Sequence, residues 1–236
     1  MQKLLGFMRK AITDYNLIED GDKIAVGVSG GKDSVALLVG LARLRKFIGI
    51  DYEIYGITLD PQFRGVPADY SAIEKLCAEY DIKYVVKQTQ IADIIFNIRK
   101  ETNPCSLCAR MRRGALHDMA NELGCNKLAL GHNNDDVIET FFMNLFNEGR
   151  IGCFSPNSYL SRKDITVIRP LVYAPEKDII SAVNRCKLPI IESCCPANKK
   201  TNREDMKNYI ADMQYKDKRF KVKIFGALKR SGIDGW

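Results

Sequence analysis

The sequence predicts an α/β protein: an open parallel sheet with helices on both faces, followed by a short helical extension at the C-terminal end. Three observations carry this. Short β-branched runs alternate with amphipathic stretches of 3.6-residue period along most of the 236 residues. A glycine-rich turn follows the first apolar run directly. Beyond about Arg203 the strand signal vanishes while the helical pattern continues.

Taken in order, residues 1–16 read as an amphipathic helix, with Leu4, Leu5, Met8, Ile12 and Tyr15 on one face. Strands are predicted at 23–28, 52–59, 83–86, 127–130 and 166–168. Helices are predicted at 33–46, 68–80, 91–100, 110–123, 135–147 and 176–186. The first of these helices has Val35, Leu37, Leu38, Leu41 and Leu44 as its apolar positions. Residues 148–164, rich in Gly, Ser, Pro and Asn, read as a surface loop. Three units result: an N-terminal helix over 1–22, an α/β body over 23–202, and a basic helical extension over 203–236.

Composition narrows the class. Hydrophobic residues make up 46% and charged residues 28%, which is ordinary for a globular chain. No apolar run approaches the roughly 20 residues of a membrane span, and the N-terminus lacks the layout of a secretory signal. A cytoplasmic protein without a membrane partner is expected. The net charge of +7 favours a polyanionic partner. Its distribution says more, with Arg110, Arg112 and Arg113 beside two cysteines and Lys216, Lys218, Arg219, Lys221, Lys223, Lys229 and Arg230 in the extension. These runs suit either RNA phosphates or a solvated helix face. Eight cysteines in a cytoplasmic chain argue against disulfides. Cys77, Cys125 and Cys186 fall in helical patterns and read as small buried hydrophobes, and Cys153 has no assigned role.

In an open parallel sheet, ligands bind at the carboxyl ends of the strands, and four motifs fall at that edge. Ser29-Gly30-Gly31-Lys32-Asp33-Ser34 ends the first strand. Its glycines let backbone approach an anion, the following helix aims its amides at the same point, and Lys32 adds a charge. The spacing is not that of a Walker A loop. Asp60 ends the second strand. Gly131-His132-Asn133-Asn134-Asp135-Asp136 ends the fourth. Asp60 and the Asp135-Asp136 pair are hard-oxygen candidates for Mg²⁺ beside phosphates; capping of the helix at Asp135 is the structural alternative, and the pair could divide the two roles. His132 is a candidate acid or a structural donor. Cys105-Ser106-Leu107-Cys108, ahead of a crossover helix, and the vicinal Cys194-Cys195 complete the set. Adjacent cysteines point apart, so three thiolates are the natural count. An iron–sulfur cluster, persulfide-forming thiols and zinc all remain open on residue chemistry alone.

Ser29–Ser34 resembles the SGGxDS signature of PP-loop ATP pyrophosphatases, which cleave ATP between the α and β phosphates. Further motifs narrow that resemblance: Thr58-Leu59-Asp60, CSLCARMRRG from Cys105, LGHNNDD from Leu130, Ile168-Arg169-Pro170-Leu171 and Glu176-Lys177-Asp178-Ile179. In this order, over nearly the whole chain, they are similar to the tRNA 2-thiocytidine synthetase (TtcA) family. The resemblance implies an ATP- and Mg²⁺-dependent enzyme that adenylates the C2 carbonyl of an anticodon-loop cytidine and replaces its oxygen with sulfur. It implies a 4Fe–4S cluster on Cys105, Cys108 and one of the vicinal pair, with Cys195 favoured and Cys194 the alternative. It also implies a cysteine desulfurase or other sulfide donor as partner. Ser29, Gly30, Gly31, Lys32, Asp33, Ser34, Asp60, Gly131 and Asp135 would bind ATP and Mg²⁺, with Lys32, Asp33, Asp60 and Asp135 catalytic. Arg110, Arg112 and Arg113 would hold tRNA. The chain is short for that family, so an RNA footprint shared across a homodimer is expected. Rival readings are a 2-thiouridine synthetase, a lysidine synthetase needing no cluster, and a non-catalytic iron–sulfur or RNA-binding module.

Overall fold

The computed structural model describes residues 1–101, 104–192, 194–196 and 202–236. Helix α1 (Gln2–Asp14) leads to β1 (Asp22–Gly27), α2 (Lys32–Leu44) and β2 (Tyr52–Asp60). A 3₁₀ turn at Phe63–Gly65 precedes α3 (Ser71–Glu79) and β3 (Lys83–Gln88). A single turn, α4 (Ile91–Asp93), runs into a π-helical segment over Ile94–Ile98. Then come α5 (Pro104–Glu122), β4 (Lys127–Ala129), α6 (Asn134–Asn147), β5 (Asn157–Leu160), β6 (Ile165–Ile168), α7 (Glu176–Cys186), α8 (Asn202–Lys216) and α9 (Phe220–Ser231).

The six strands stand in the order β3-β2-β1-β4-β6-β5. All neighbours pair in parallel except β5, which runs antiparallel to β6 at the sheet edge. Ile24, Ala25 and Val26 of β1 are wholly buried, as befits a central strand covered on both faces. On one face α2 is buried along most of its length beneath α1 and α7, in the larger hydrophobic core. The α1–α2 approach is close at Gly40, where a Cβ would stand 2.7 Å from Met8 Cε. On the other face α5 packs on β2 and β4. Met119 and Ala120 there meet Tyr55, Ile57, Leu59 and Leu128 in a second core.

Helices α8 and α9 close against α6, burying Met206 and Ile210 on Ile138 and Phe142. The chain end returns to the beginning: Trp236 meets Tyr15 edge-on, with ring centroids 6.0 Å apart, and Phe225 at 5.5 Å. Among the described residues, four of the extension's lysines have partners within the chain: Lys207 pairs with Glu139 and Glu176, Lys221 with Asp135, Lys223 with Asp217 and Lys229 with Asp14.

The structure corrects the sequence reading in two places. The segment read as a loop over 148–164 contains β5. It is an edge strand with one partner and an exposed Tyr159, so its composition is that of surface. Cys105 and Cys108 lie in the first turns of α5 rather than ahead of it, since the helix begins at Pro104.

A buried ion pair joins β1 to β4 at their amino ends. Lys127 Nζ lies 2.8 Å from Asp22 Oδ2, with side chains 7% and 4% exposed, and Asn126 Nδ2 donates to Asp22 Oδ1 at 2.7 Å. Removing one member of such a pair leaves a buried charge without its counter-ion. Lys127→Met is expected to cost about 3 kcal/mol of unfolding free energy, read by denaturant titration. A change below about 0.5 kcal/mol would show that the pair does not anchor the sheet.

Candidate active site

The phosphate-type loop is built from β1 outward. Val28 N–H donates to Ile57 C=O at 2.8 Å, and Thr58 Oγ1 donates to Val28 C=O at 2.8 Å, so the strand end is fixed before the turn begins. Gly30 has φ +83°, and a Cβ there would lie 2.9 Å from Ile191 Cβ. Only glycine meets both demands. Ser34 Oγ accepts the Ser29 N–H at 3.1 Å and donates to Gly31 C=O at 2.9 Å, closing the loop on itself. Gly31 is the N-cap of α2 without a side-chain cap, and the first-turn amides of a helix lack intrahelical partners and suit an anion.

Lys32 Nζ stands 2.9 Å from Asp33 Oδ2 and 2.9 Å from Glu176 Oε1. Burial lowers its pKa, but the hydrogen bonds to Glu176 and Asp33 outweigh burial, so the ammonium is held above its ordinary value. Asn133 Nδ2 donates to Asp33 Oδ1 at 3.1 Å. Asn133 also caps α6: its side chain accepts from the Asp135 and Asp136 amides, and Asp136 returns a bond to the Asn133 N–H. Gly131 brings this turn against the loop, for a Cβ there would be 3.1 Å from the Asp33 carbonyl carbon and 3.2 Å from Ser34 N.

The carboxylates that the sequence offered for Mg²⁺ are engaged in holding backbone, Asp136 by accepting the Asn133 N–H at 2.9 Å. Asp60 is 2% exposed, and its two oxygens accept the Gln62 and Ala68 amides, each at 2.9 Å. Asp135 accepts the Glu176 N–H at 2.6 Å through Oδ2 and pairs with Lys221 Nζ at 2.6 Å through Oδ1. Asp33, at the first turn of α2, is the carboxylate nearest the loop amides in sequence.

Beside the loop, between α5 and the ends of β1, β2, β4 and β6, lies a cavity of about 550 Å³. Its floor is apolar, with Ile57, Leu59, Leu128 and Leu130, and Ser29 forms part of its wall. Arg112 and Arg113 line it; Arg110 is exposed and lies outside the wall. His132 stacks on Phe154 at 4.7 Å, and its Nδ1 accepts from Arg169 Nε at 3.2 Å. Arg169 also lies over Phe154, and burial brings its pKa down to about 10, leaving it cationic at neutral pH.

The cysteines arrive at the same edge by two routes. Cys105 is exposed and Cys108 half-buried on α5. The segment before Cys194 is fastened to the phosphate-type loop, because Ile191 N–H donates to Gly30 C=O at 3.0 Å. Burial raises the Cys108 thiol, the Arg112 charge opposes it, and Cys195 and Cys105 add to it. Tyr70 is raised by burial and by Asp60, with Arg112 opposing and Cys194 adding. Cys195 therefore acts on Cys108, while Cys194 acts on Tyr70. Among the described residues, no three His, Cys, Asp or Glu side chains converge tightly enough to hold a single ion. Cys105 and Cys108 stand one turn apart on α5, and thiol sulfur is a donor type that an iron–sulfur cluster takes.

A family model described as a PP-loop domain matches residues 3–213. Proteins named tRNA-cytidine(32) 2-sulfurtransferase are similar along nearly the whole chain. The one from Syntrophotalea carbinolica is 41% identical, over 97% of this chain and 87% of its own length. The one from Acinetobacter baumannii is 36% identical, over 97% and 76%. The chain belongs to this PP-loop sulfurtransferase family. Among solved structures, the U34-tRNA thiolase NcsA of Methanococcus maripaludis, described with its 4Fe–4S cluster, superposes with a TM-score of 0.77 at 25% identity. That match covers 95% of this chain and 77% of NcsA.

Sequence reasoning assigned no role to Glu176, Arg169 or Phe154, and read Lys221 as part of a run facing RNA or solvent; the structure brings all four to the site. Glu176 and Arg169 sit inside motifs quoted for the resemblance, so a signal was present; the Asp135 partner of Lys221 lies 86 residues away and leaves none.

The thiols divide by environment. Burial pushes Cys125 up to about 11 and Cys77 and Cys153 up to about 12. The thiolate is the reactive form, so these three stay inert at pH 8 and gain reactivity only as pH approaches those values. A brief iodoacetamide pulse on native, metal-free protein should label Cys105 and Cys194 first, as read by peptide mass spectrometry. Early labelling of Cys153 would contradict the environment described.

Proposed function

We infer that the protein is an ATP-dependent tRNA thiolase that converts cytidine 32 of tRNA to 2-thiocytidine. The observation that carries this reading is the junction of the glycine-rich loop with the cysteine-bearing segment through the Ile191–Gly30 hydrogen bond, in a chain related to tRNA-cytidine(32) 2-sulfurtransferases. A phosphate site and a thiol site share one edge of the sheet.

The chemistry needs a leaving group, because the C2 oxygen of cytosine departs poorly. The first-turn amides of α2 hold the β and γ phosphates of ATP while the C2 oxygen attacks the α phosphorus. The bond between the α phosphorus and its bridging oxygen breaks, and pyrophosphate is retained at the loop. The cavity beside Ser29 has the size and apolar floor for a nucleoside. Lys32 offsets charge on the phosphates, and Asp33 offers the oxygen donor for Mg²⁺, which polarises the phosphates when bound. Cys105, Cys108 and Cys195 would hold the cluster in this reading, and a bound cluster would supply the sulfur nucleophile that forms the new bond to C2. The C2–O bond then breaks, AMP leaves with the oxygen, and no net electrons move. Arg112 and Arg113 hold RNA phosphate at the cavity rim, with Arg110 farther out on the same helix. The sulfur comes from a sulfide donor, or from a cysteine desulfurase whose persulfide is reduced to sulfide by two electrons from a thiol reductant, and the working form is a cytoplasmic homodimer.

The test is anaerobic reconstitution with iron and sulfide, incubation with tRNA, ATP and Mg²⁺, and mass analysis of the nucleosides. Formation of 2-thiocytidine with AMP is expected. Cys195→Ala should abolish it, and Cys194→Ala should retain it. Absence of any thiolated pyrimidine from the reconstituted protein would sink the reading; the reverse cysteine dependence would transfer the ligand role to Cys194.

A further inference from the structure

One carboxylate oxygen lies between two ammonium groups from opposite ends of the chain. Glu176 Oε1 is 2.9 Å from Lys32 Nζ on the glycine-rich loop and 4.0 Å from Lys207 Nζ on α8. Lys207 Nζ is also 3.9 Å from Oε1 of Glu139, whose side chain is 5% exposed. Alongside, Lys221 from α9 holds Asp135, which in turn accepts the Glu176 N–H. Glu176, Lys207, Glu139, Asp135, Lys221 and Ile210 border a polar cavity of about 190 Å³ between α6, the start of α7 and the C-terminal helices.

In this arrangement the Lys32 ammonium is already neutralised by Asp33 and Glu176. A polyphosphate arriving at the α2 amides must compete with Glu176 for it. Release of Lys32 leaves Glu176 as a half-buried anion beside an incoming polyanion, which is unfavourable unless another cation takes it over. Lys207 is already within ion-pair distance of the same oxygen.

We propose that Lys207 is a positioning residue for phosphate binding: it takes over Glu176 when ATP or pyrophosphate draws Lys32 away. The proposal rests on the nucleotide reading given above and adds to it the C-terminal extension. Lys207 acts through Glu176 and does not itself touch phosphate. The buried Glu139 keeps its ammonium within reach before ligand arrives.

A double-mutant cycle separates this from simpler roles. Binding of ATP and of inorganic pyrophosphate, each with Mg²⁺, is measured by calorimetry on the cluster-free full-length chain, with thermal unfolding recorded for every variant. Lys207→Met should weaken both ligands by roughly five- to tenfold, and Lys207→Arg should restore them. Glu176→Gln removes the competing charge and should tighten pyrophosphate binding. In that background Lys207→Met should change affinity less than about twofold. Equal losses in both backgrounds would mean that Lys207 contacts phosphate directly or supports the fold, and would overturn the proposal. So would no loss in either. Wild-type protein that binds neither ligand would sink the nucleotide reading itself; binding without coupling would sink the relay alone.

Discussion

Strand β1 has a parallel neighbour on each side, and the chain leaves it in opposite directions to reach them. The crossover to β2 goes through α2, and the later return to β4 goes through α5 on the other face. Parallel crossovers share one handedness, so reversing direction across the sheet puts the helices on opposite faces. The strand ends on either side of β1 consequently part, and a crevice opens between them. The glycine-rich loop, the β4–α6 turn and the start of α5 all border that crevice because each follows or precedes a strand at this reversal. Their meeting is a consequence of topology before any side chain is considered.

Two close backbone approaches then turn a crevice into a site. Gly131 lets the β4–α6 turn rest on the Asp33–Ser34 peptide, and Gly30 admits Ile191. The second approach matters more for function, since it fastens a segment from the far end of the domain, with Cys194 and Cys195 just beyond, onto the loop that faces phosphate. Among the described residues, the main-chain hydrogen bond from Ile191 to Gly30 joins the segment ahead of Cys194 to the glycine-rich loop. A side chain at position 30 would face both a disfavoured backbone angle and Ile191, so the glycine is required by geometry on two counts.

Much of this was legible in the sequence. β1 and β2 follow from β-branched runs that alternate or are wholly apolar, and α2 from its apolar period. The loop motif, Gly131 and the cysteines were identifiable by residue type at strand ends. What escaped notice has physical reasons. β5 has one hydrogen-bonded neighbour and a polar, exposed surface, so Asn157-Ser158-Tyr159-Leu160 carries little hydrophobic pattern. The actual engagement of Asp60 and Asp135 also escaped. A carboxylate at a strand end looks alike whether it accepts backbone amides or binds a metal, and only the loop geometry decides. The cation–π and stacking cluster of His132, Phe154 and Arg169 joins three separated segments, and no local period encodes it.

The basic C-terminal extension shows how net charge can mislead when read alone. Its lysines invite assignment to RNA, yet Lys221 is held by Asp135 and Lys229 by Asp14, with Tyr173 sharing the same carboxylate. The Lys229 and Tyr173 hydrogen bonds hold Asp14 well below the usual carboxylate range, so that anchor persists under mildly acidic conditions. Lys207, which was not among the basic residues singled out, shares Glu176 with Lys32 of the glycine-rich loop. Charge in this segment therefore acts inward as well as outward. Acidic groups gathered around the loop, namely Asp33, Asp135, Glu139 and Glu176, would by themselves repel a triphosphate. Lysines contributed by α2, α8 and α9 pair with these acids in place, so the charge of the extension is tied to the acidic groups beside the glycine-rich loop.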